Sequence, residues 1–140
     1  IPFDEREEPR NFLWRIQNCG RAFDTINSLS QIQDFARACL TLWERQAPFG
    51  IYNVANPGAV TTRQVVDMIE RILKPARCCE IREEEEFRRC GANAPRAHCI
   101  LDGSKLLAAG VEMRPVEEAL EDSLGDWHWD AAPVELLCHH

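Results

Sequence analysis

The stretch from Phe49 to Pro75 narrows the fold of this chain more than any other. Gly50-Ile51-Tyr52-Asn53-Val54 is a short run of good β-formers and predicts a strand. Asn56-Pro57-Gly58 then predicts a turn, because proline fixes its own φ and glycine supplies a positive one. Thr61 and Gln64 stand at capping-box spacing, so a helix opens there. Val65, Val66, Ile69, Ile72 and Leu73 recur at helical spacing as one buried stripe, and Pro75 closes the helix. A strand, a tight turn and a capped amphipathic helix in immediate succession point to an α/β fold.

The flanking sequence extends that reading. Residues 1–10 are polar and carry two prolines, which predicts a loop; 11–18 predict a short helix with Phe12, Leu13 and Ile16 inward, ended by Gly20. A short strand is expected around Ala22–Ile26. The first strong helix spans Gln31 to Gln46, with Ser30 as N-cap and Pro48 as its limit. Its expected buried face is Ile32, Phe35, Ala36, Cys39, Leu42 and Trp43. Beyond the capped helix come a strand at Cys78–Ile81 and an acidic run, Glu83–Glu86, that suits a helix start. A loop at 91–95, a strand at Cys99–Leu101 and a helix at 104–109 ended by Gly110 follow. The last helix runs from Pro115 to Trp127, with Val116, Ala119, Leu120, Leu124 and Trp127 inward. Residues 130–140 show no periodicity and read as a loose tail, leaving 1–129 as one folded unit. There is no internal repeat.

At 140 residues the chain suits a single domain with a real core. Its net charge of −7 argues against a nucleic-acid surface. The 14 arginines against 2 lysines nonetheless suit the bidentate grip of a small phosphorylated ligand. No apolar run is long enough to span a membrane, and no signal-peptide pattern is visible. The start at Ile1, not methionine, reads like the interior of a longer sequence. Seven cysteines, an odd number without a secretory leader, are expected to be mostly free thiols in a reducing, cytoplasmic compartment. Cys39 is expected to be a small core residue.

Several chemistries are excluded by inspection. The seven glycines form no G-x-G-x-x-G or P-loop spacing, so no cofactor loop is present. Tyr52 is the sole tyrosine and Asn56 stands four residues on, so there is no Tyr-x-x-x-Lys dyad. No G-x-S-x-G elbow occurs. Cys78, Cys79, Cys90, His98 and Cys99 lack zinc-chelating spacing, and Cys138-His139-His140 lies in the expected tail, so no metal site is assigned. The carboxylates at 83–86 and 117–122 read as solvated helix faces rather than an acid/base pair. Arg96, in a loop before a short apolar strand, has the reach to fork a diphosphate, although spacing alone suits a plain surface arginine better.

Taken in order, several segments resemble a known family. Phe49-Gly50-Ile51-Tyr52-Asn53-Val54, Asn56-Pro57-Gly58 and Val60–Val66 resemble one stretch of nucleotide-sugar 4-keto reductases. Ala94-Pro95-Arg96, Leu101-Asp102, Ser104-Lys105-Leu106 and Pro115–Leu120 resemble their final segment. Pro9-Arg10-Asn11-Phe12 and Asn27-Ser28-Leu29 resemble their substrate-side loops. The chain is thus similar, over about residues 1–127, to the C-terminal part of extended short-chain dehydrogenase/reductases of the NAD-dependent epimerase/dehydratase superfamily. The dTDP-4-dehydrorhamnose reductases and related bifunctional epimerase/reductases are the nearest in pattern. Ala97-His98 and the Cys- and Arg-rich stretch 76–90 depart from that pattern.

The resemblance implies an α/β fold made of a late strand and helices of an NAD(P)-binding Rossmann unit plus a small substrate-binding subdomain. It implies Ile51–Val54 as that late strand and Gln31–Gln46 as a helix packed on it. It implies that Arg96 grips the diphosphate of a dTDP- or UDP-linked sugar, and that Asn11, Asn27 and Ser28 lie on the substrate side. NAD(P)H and the catalytic Tyr and Lys would come from a Rossmann half in the same polypeptide or a partner chain. This portion would bind substrate without being catalytic alone. The alternatives are a stand-alone remnant that binds a partner protein, and a portion of a nucleotide-sugar epimerase or dehydratase.

Overall fold

The computed structural model describes residues 1–77, 79–82 and 98–129. Chain order is β1 (Pro2–Phe3), α1 (Phe12–Asn18), β2 (Arg21–Phe23), β3 (Ile26–Asn27), β4 (Ser30–Gln31), α2 (Ile32–Glu44), β5 (Val60–Thr61), α3 (Thr62–Leu73), β6 (Glu80–Arg82), α4 (Ser104–Ala108) and α5 (Val116–Gly125). The strands form three short ladders. β1 pairs with β4 and β2 with β6, both parallel, and β3 pairs antiparallel with β5.

The capped helix α3 forms as its sequence predicts. Thr61 Oγ1 accepts from Gln64 N–H (3.1 Å), and the Gln64 side chain accepts from Thr61 N–H (2.8 Å). Val65, Val66 and Ile69 are buried, with Ile72 and Leu73 packed at the edge of the same cluster. The helix closes on Lys74 in the left-handed conformation, just before Pro75. The Pro57–Gly58 turn aims it at α5. Gly58 has φ +96°, and a β-carbon there would sit 3.2 Å from Val116 Cγ1. Val116 N–H donates to Pro57 O (2.9 Å), tying the turn to the first residue of α5.

The main core gathers Phe3, Leu13, Leu29, Val65, Leu120 and Leu124, all essentially sealed from solvent. All five residues expected inward on the last helix are buried, Trp127 included. Burying a large aliphatic side chain contributes about 2 kcal/mol, so the α3–α5 seam contributes strongly to the stability of the fold. A smaller cluster, Ala38, Leu106 and Val111, packs with Leu42, Tyr52, Val54 and Met113.

A buried polar knot joins the two clusters. Asn56 accepts from Gln31 N–H (2.8 Å) and donates to Asp34 Oδ2 (2.9 Å) and Arg114 O (3.1 Å). Arg114 Nε donates to the same Asp34 oxygen (2.7 Å). The hydrogen bond to Asp34 holds the Arg114 guanidinium above its ordinary pKa. The buried Asp34 charge is thereby paired and hydrogen-bonded, the condition under which a carboxylate is tolerated inside.

Several expectations are corrected. Residues 50–54 form no strand, because a strand needs a ladder partner and none adjoins them among the described residues. Their burial still alternates: Tyr52 and Val54 face the small cluster, while Ile51 is 88% exposed. The N-cap of α2 is Gln31, whose side chain accepts from Asp34 N–H (2.8 Å); the Ser30 hydroxyl donates instead to Val54 O (2.9 Å). The predicted buried face of α2 lies open: Ile32, Phe35, Ala36, Cys39 and Trp43 are exposed, Trp43 by 79%, while Asp34 and Ala38 face inward. Cys39 is therefore not a core residue. Cys99–Leu101 contributes one bridge, Asn27 to Cys99, and not a strand. The expected 22–26 strand divides into β2 and β3, and the 78–81 strand sits at Glu80–Arg82. The acidic run 83–86, the loop 91–95 and the tail 130–140 lie outside the described residues.

Candidate functional site

The four residues singled out from sequence do not share one role. Asn11 is buried and its polar atoms serve the chain itself. Its Oδ1 accepts from Leu13 N–H (3.1 Å), capping α1, and its Nδ2 donates to Asp4 O (2.8 Å) and Arg6 O (2.7 Å). It shapes the 4–11 loop rather than facing outward.

Asn27 and Ser28 meet on one edge and clamp the stretch that follows Arg96. Asn27 Oδ1 accepts from Cys99 N–H (3.1 Å), and Ser28 Oγ accepts from Leu101 N–H (2.8 Å). Ser28 N–H donates to Cys99 O (2.8 Å), and His98 Nδ1 accepts from Ile26 N–H (3.0 Å). Arg96 itself lies outside the described residues, two positions before this clamp.

Asn27 also lines a groove of about 410 Å³ with Phe12, Arg15, Arg21, Phe23 and Thr25. α1 presents Phe12 and Arg15, β2 presents Arg21 and Phe23, and β3 closes the floor. Among the described residues Arg15 has no carboxylate partner, and the Arg21–Glu80 pair is loose at 3.6 Å with both groups exposed. A second hollow of about 520 Å³, between α2 and residues 110–114, also carries arginines. There Arg114 is committed to Asp34 and Asp122 and Arg45 to Gly110 O (2.7 Å), while Arg37 pairs with Asp34 as loosely (3.6 Å) as Arg21 does with Glu80. The first groove offers Arg15 and Arg21 to an anion and has Phe12 and Phe23 in its lining.

Sequence reading missed Phe12, Arg15, Arg21 and Phe23 as groove residues. The excess of arginine over lysine was the available signal, but it does not say which arginines converge. Among the described residues no group of three or more His, Cys, Asp or Glu side chains is placed to hold a metal ion. No described helix is long and apolar enough to cross a membrane.

Comparison with known proteins gives the following. No family model matches the sequence. A bifunctional dTDP-4-dehydrorhamnose 3,5-epimerase/dTDP-4-dehydrorhamnose reductase of Arabidopsis thaliana is 28% identical over 112 residues, which is 80% of this chain and 36% of that protein. A trifunctional UDP-glucose 4,6-dehydratase/UDP-4-keto-6-deoxy-D-glucose 3,5-epimerase/UDP-4-keto-L-rhamnose-reductase of the same plant is 27% identical over 113 residues, 80% of this chain and 16% of that protein. The crystal structure of a UDP-rhamnose synthase from Acanthamoeba polyphaga mimivirus superposes with a TM-score of 0.77 at 20% identity, over 90% of this chain and 43% of that one. The chain thus has a mixed α/β fold that matches part of a Rossmann-fold extended short-chain dehydrogenase/reductase. It spans less than half the length of these relatives.

Proposed function

We propose that this chain is the substrate-binding portion of an NAD(P)-dependent nucleotide-sugar 4-keto reductase, acting in the cytoplasm on a dTDP- or UDP-linked deoxyketosugar. The observation that carries the reading is the groove beside Asn27. Aromatic faces at Phe12 and Phe23 suit a pyrimidine base, and Arg15 and Arg21 suit a diphosphate. Arg96 adds a further fork from the stretch whose far end Asn27 and Ser28 hold, while Asn11 keeps the neighbouring loop in shape. Similarity to the plant epimerase/reductases favours this reading over a non-catalytic remnant or an epimerase portion.

The chain's own residues do not fit a dinucleotide. It has no glycine-rich loop and no Tyr-x-x-x-Lys, so the hydride donor and the proton donor belong to another part of the enzyme. The open face of α2 and the exposed Phe49 and Ile51 suit the packing of that dinucleotide-binding half. The share of the relatives' length that lies beyond the match is long enough to supply it.

Calorimetric titration with UDP and dTDP tests the reading. Binding is expected for the chain or its assembly with a dinucleotide-binding half, weakened about tenfold by Arg15→Ala, Arg21→Ala or Arg96→Ala. Absence of binding by both forms would overturn it.

A further inference from the structure

Two thiols distant in sequence meet beside the groove. Cys19 Sγ lies 3.0 Å from Cys79 Sγ across 60 residues. The backbone around them is already clamped. Glu80 N–H donates to Gly20 O (3.2 Å), and Arg21 and Glu80 are register partners at the start of the parallel β2–β6 ladder. Closing the pair to a bond of about 2 Å needs a movement of about 1 Å.

We propose that Cys19 and Cys79 form a reversible disulfide that staples β2 to β6, with a low-molecular-weight disulfide such as oxidised glutathione as the oxidant. The environments of the two sulfurs set the order of events. Cys79 is buried, and desolvation together with the Cys19 hydrogen bond pushes its thiol up to about 12. It remains protonated at neutral pH. Cys19 is half-buried and lines the groove, so an incoming disulfide reaches it first.

The Cys19 thiolate attacks one sulfur of oxidised glutathione, and a glutathione thiolate leaves. Cys79 then gives its proton to solvent and attacks the Cys19 sulfur of the mixed disulfide, expelling the second glutathione. Two protein thiols are oxidised to one disulfide and one glutathione disulfide is reduced to two thiols. A transient bond of this kind is the form cytosolic disulfides usually take. β6 directly precedes residues 83–97 in the sequence, so the staple would fix one end of the stretch that carries Arg96.

The test incubates the 140-residue chain with oxidised glutathione at mild alkaline pH, then quenches with acid and maps the peptides by mass spectrometry. The expected product has lost two hydrogens and links the Cys19 peptide to Cys79. Cys78→Ser should retain the link; Cys19→Ser should abolish it. Cys79→Ala should stop at glutathione on Cys19, which reports the first exchange separately from the second. Oxidised wild-type chain should melt on the order of 10 °C higher than reduced chain, with dithiothreitol reversing the shift. Failure to cross-link in folded protein, a link to Cys78 instead, or a link with no rise in melting temperature would each overturn the proposal.

Discussion

The helices α2 and α3 are nearly equal in length, 13 and 12 residues, and both are amphipathic, yet they sit in this fold in opposite ways. α3 turns Val65, Val66 and Ile69 into the core and seats them against α5. α2 turns Asp34 and Ala38 inward and leaves Ile32, Phe35, Leu40 and Trp43 in solvent. A single exposed apolar residue needs no explanation, but a whole helical face does. The contrast teaches that amphipathicity marks a surface for burial without saying what buries it. For α3 the cover lies in this chain; for α2 none is present among the described residues.

The contrast can be broken first at the α3–α5 seam. Ile69→Ala or Leu120→Ala should cost about 3 kcal/mol in urea unfolding; a cost well under 1 kcal/mol would show that this seam does not organise the core. The next largest effect is expected where α2 does face inward. Asp34→Ala leaves Arg114 and Asn56 without their shared carboxylate and should cost about 2 kcal/mol, with Asp34→Asn recovering part of it.

A smaller effect concerns pH. The Cys79 thiol is held up to about 12, chiefly by desolvation, against an ordinary value of 9.0. Stability from this group is full below pH ~9 and is lost as pH rises toward ~12, because the unfolded chain gives up the proton first. Unfolding midpoints should fall by about 1 kcal/mol equivalent by pH 10, and Cys79→Ala should flatten that slope. The smallest effect is expected on the open face: Phe35→Ser and Trp43→Ser should change stability by no more than about 0.5 kcal/mol. They should nonetheless lower hydrophobic-dye binding and weaken docking of a dinucleotide-binding half. A large loss of stability from Trp43→Ser would mean that this face is covered after all.

How much of this was legible in the sequence follows the same divide. The T-x-x-Q box, the Pro57-Gly58 turn and the inward face of α5 depend on neighbours a few residues away, and the structure carries them as read. The strand at 50–54 was not legible as an unpaired segment, because β-propensity says nothing about whether a partner is present. The inward face of α2 was hidden for a related reason. Hydrophobic periodicity cannot foresee that Asp34 goes inside to meet Asn56 and Arg114, residues far along the chain.

The candidate site divides likewise. Asn27, expected through resemblance, lines the groove, yet its side chain also serves the chain itself, accepting from Cys99 N–H and donating to Thr25 Oγ1. Asn11 and Ser28, reached the same way, turn out to spend their side chains on the chain's own backbone. Arg15 and Arg21 converge only because α1 and β2 fold side by side, a fact of tertiary structure that no local spacing encodes.

The most direct test of this account is hydrogen–deuterium exchange across residues 32–44, compared between the chain alone and the chain joined to a dinucleotide-binding half. The account predicts that exchange in α2 slows about tenfold or more on joining while α3 is unchanged. Unchanged exchange in α2, with Trp43 as exposed in the assembly as in the isolated chain, would contradict it.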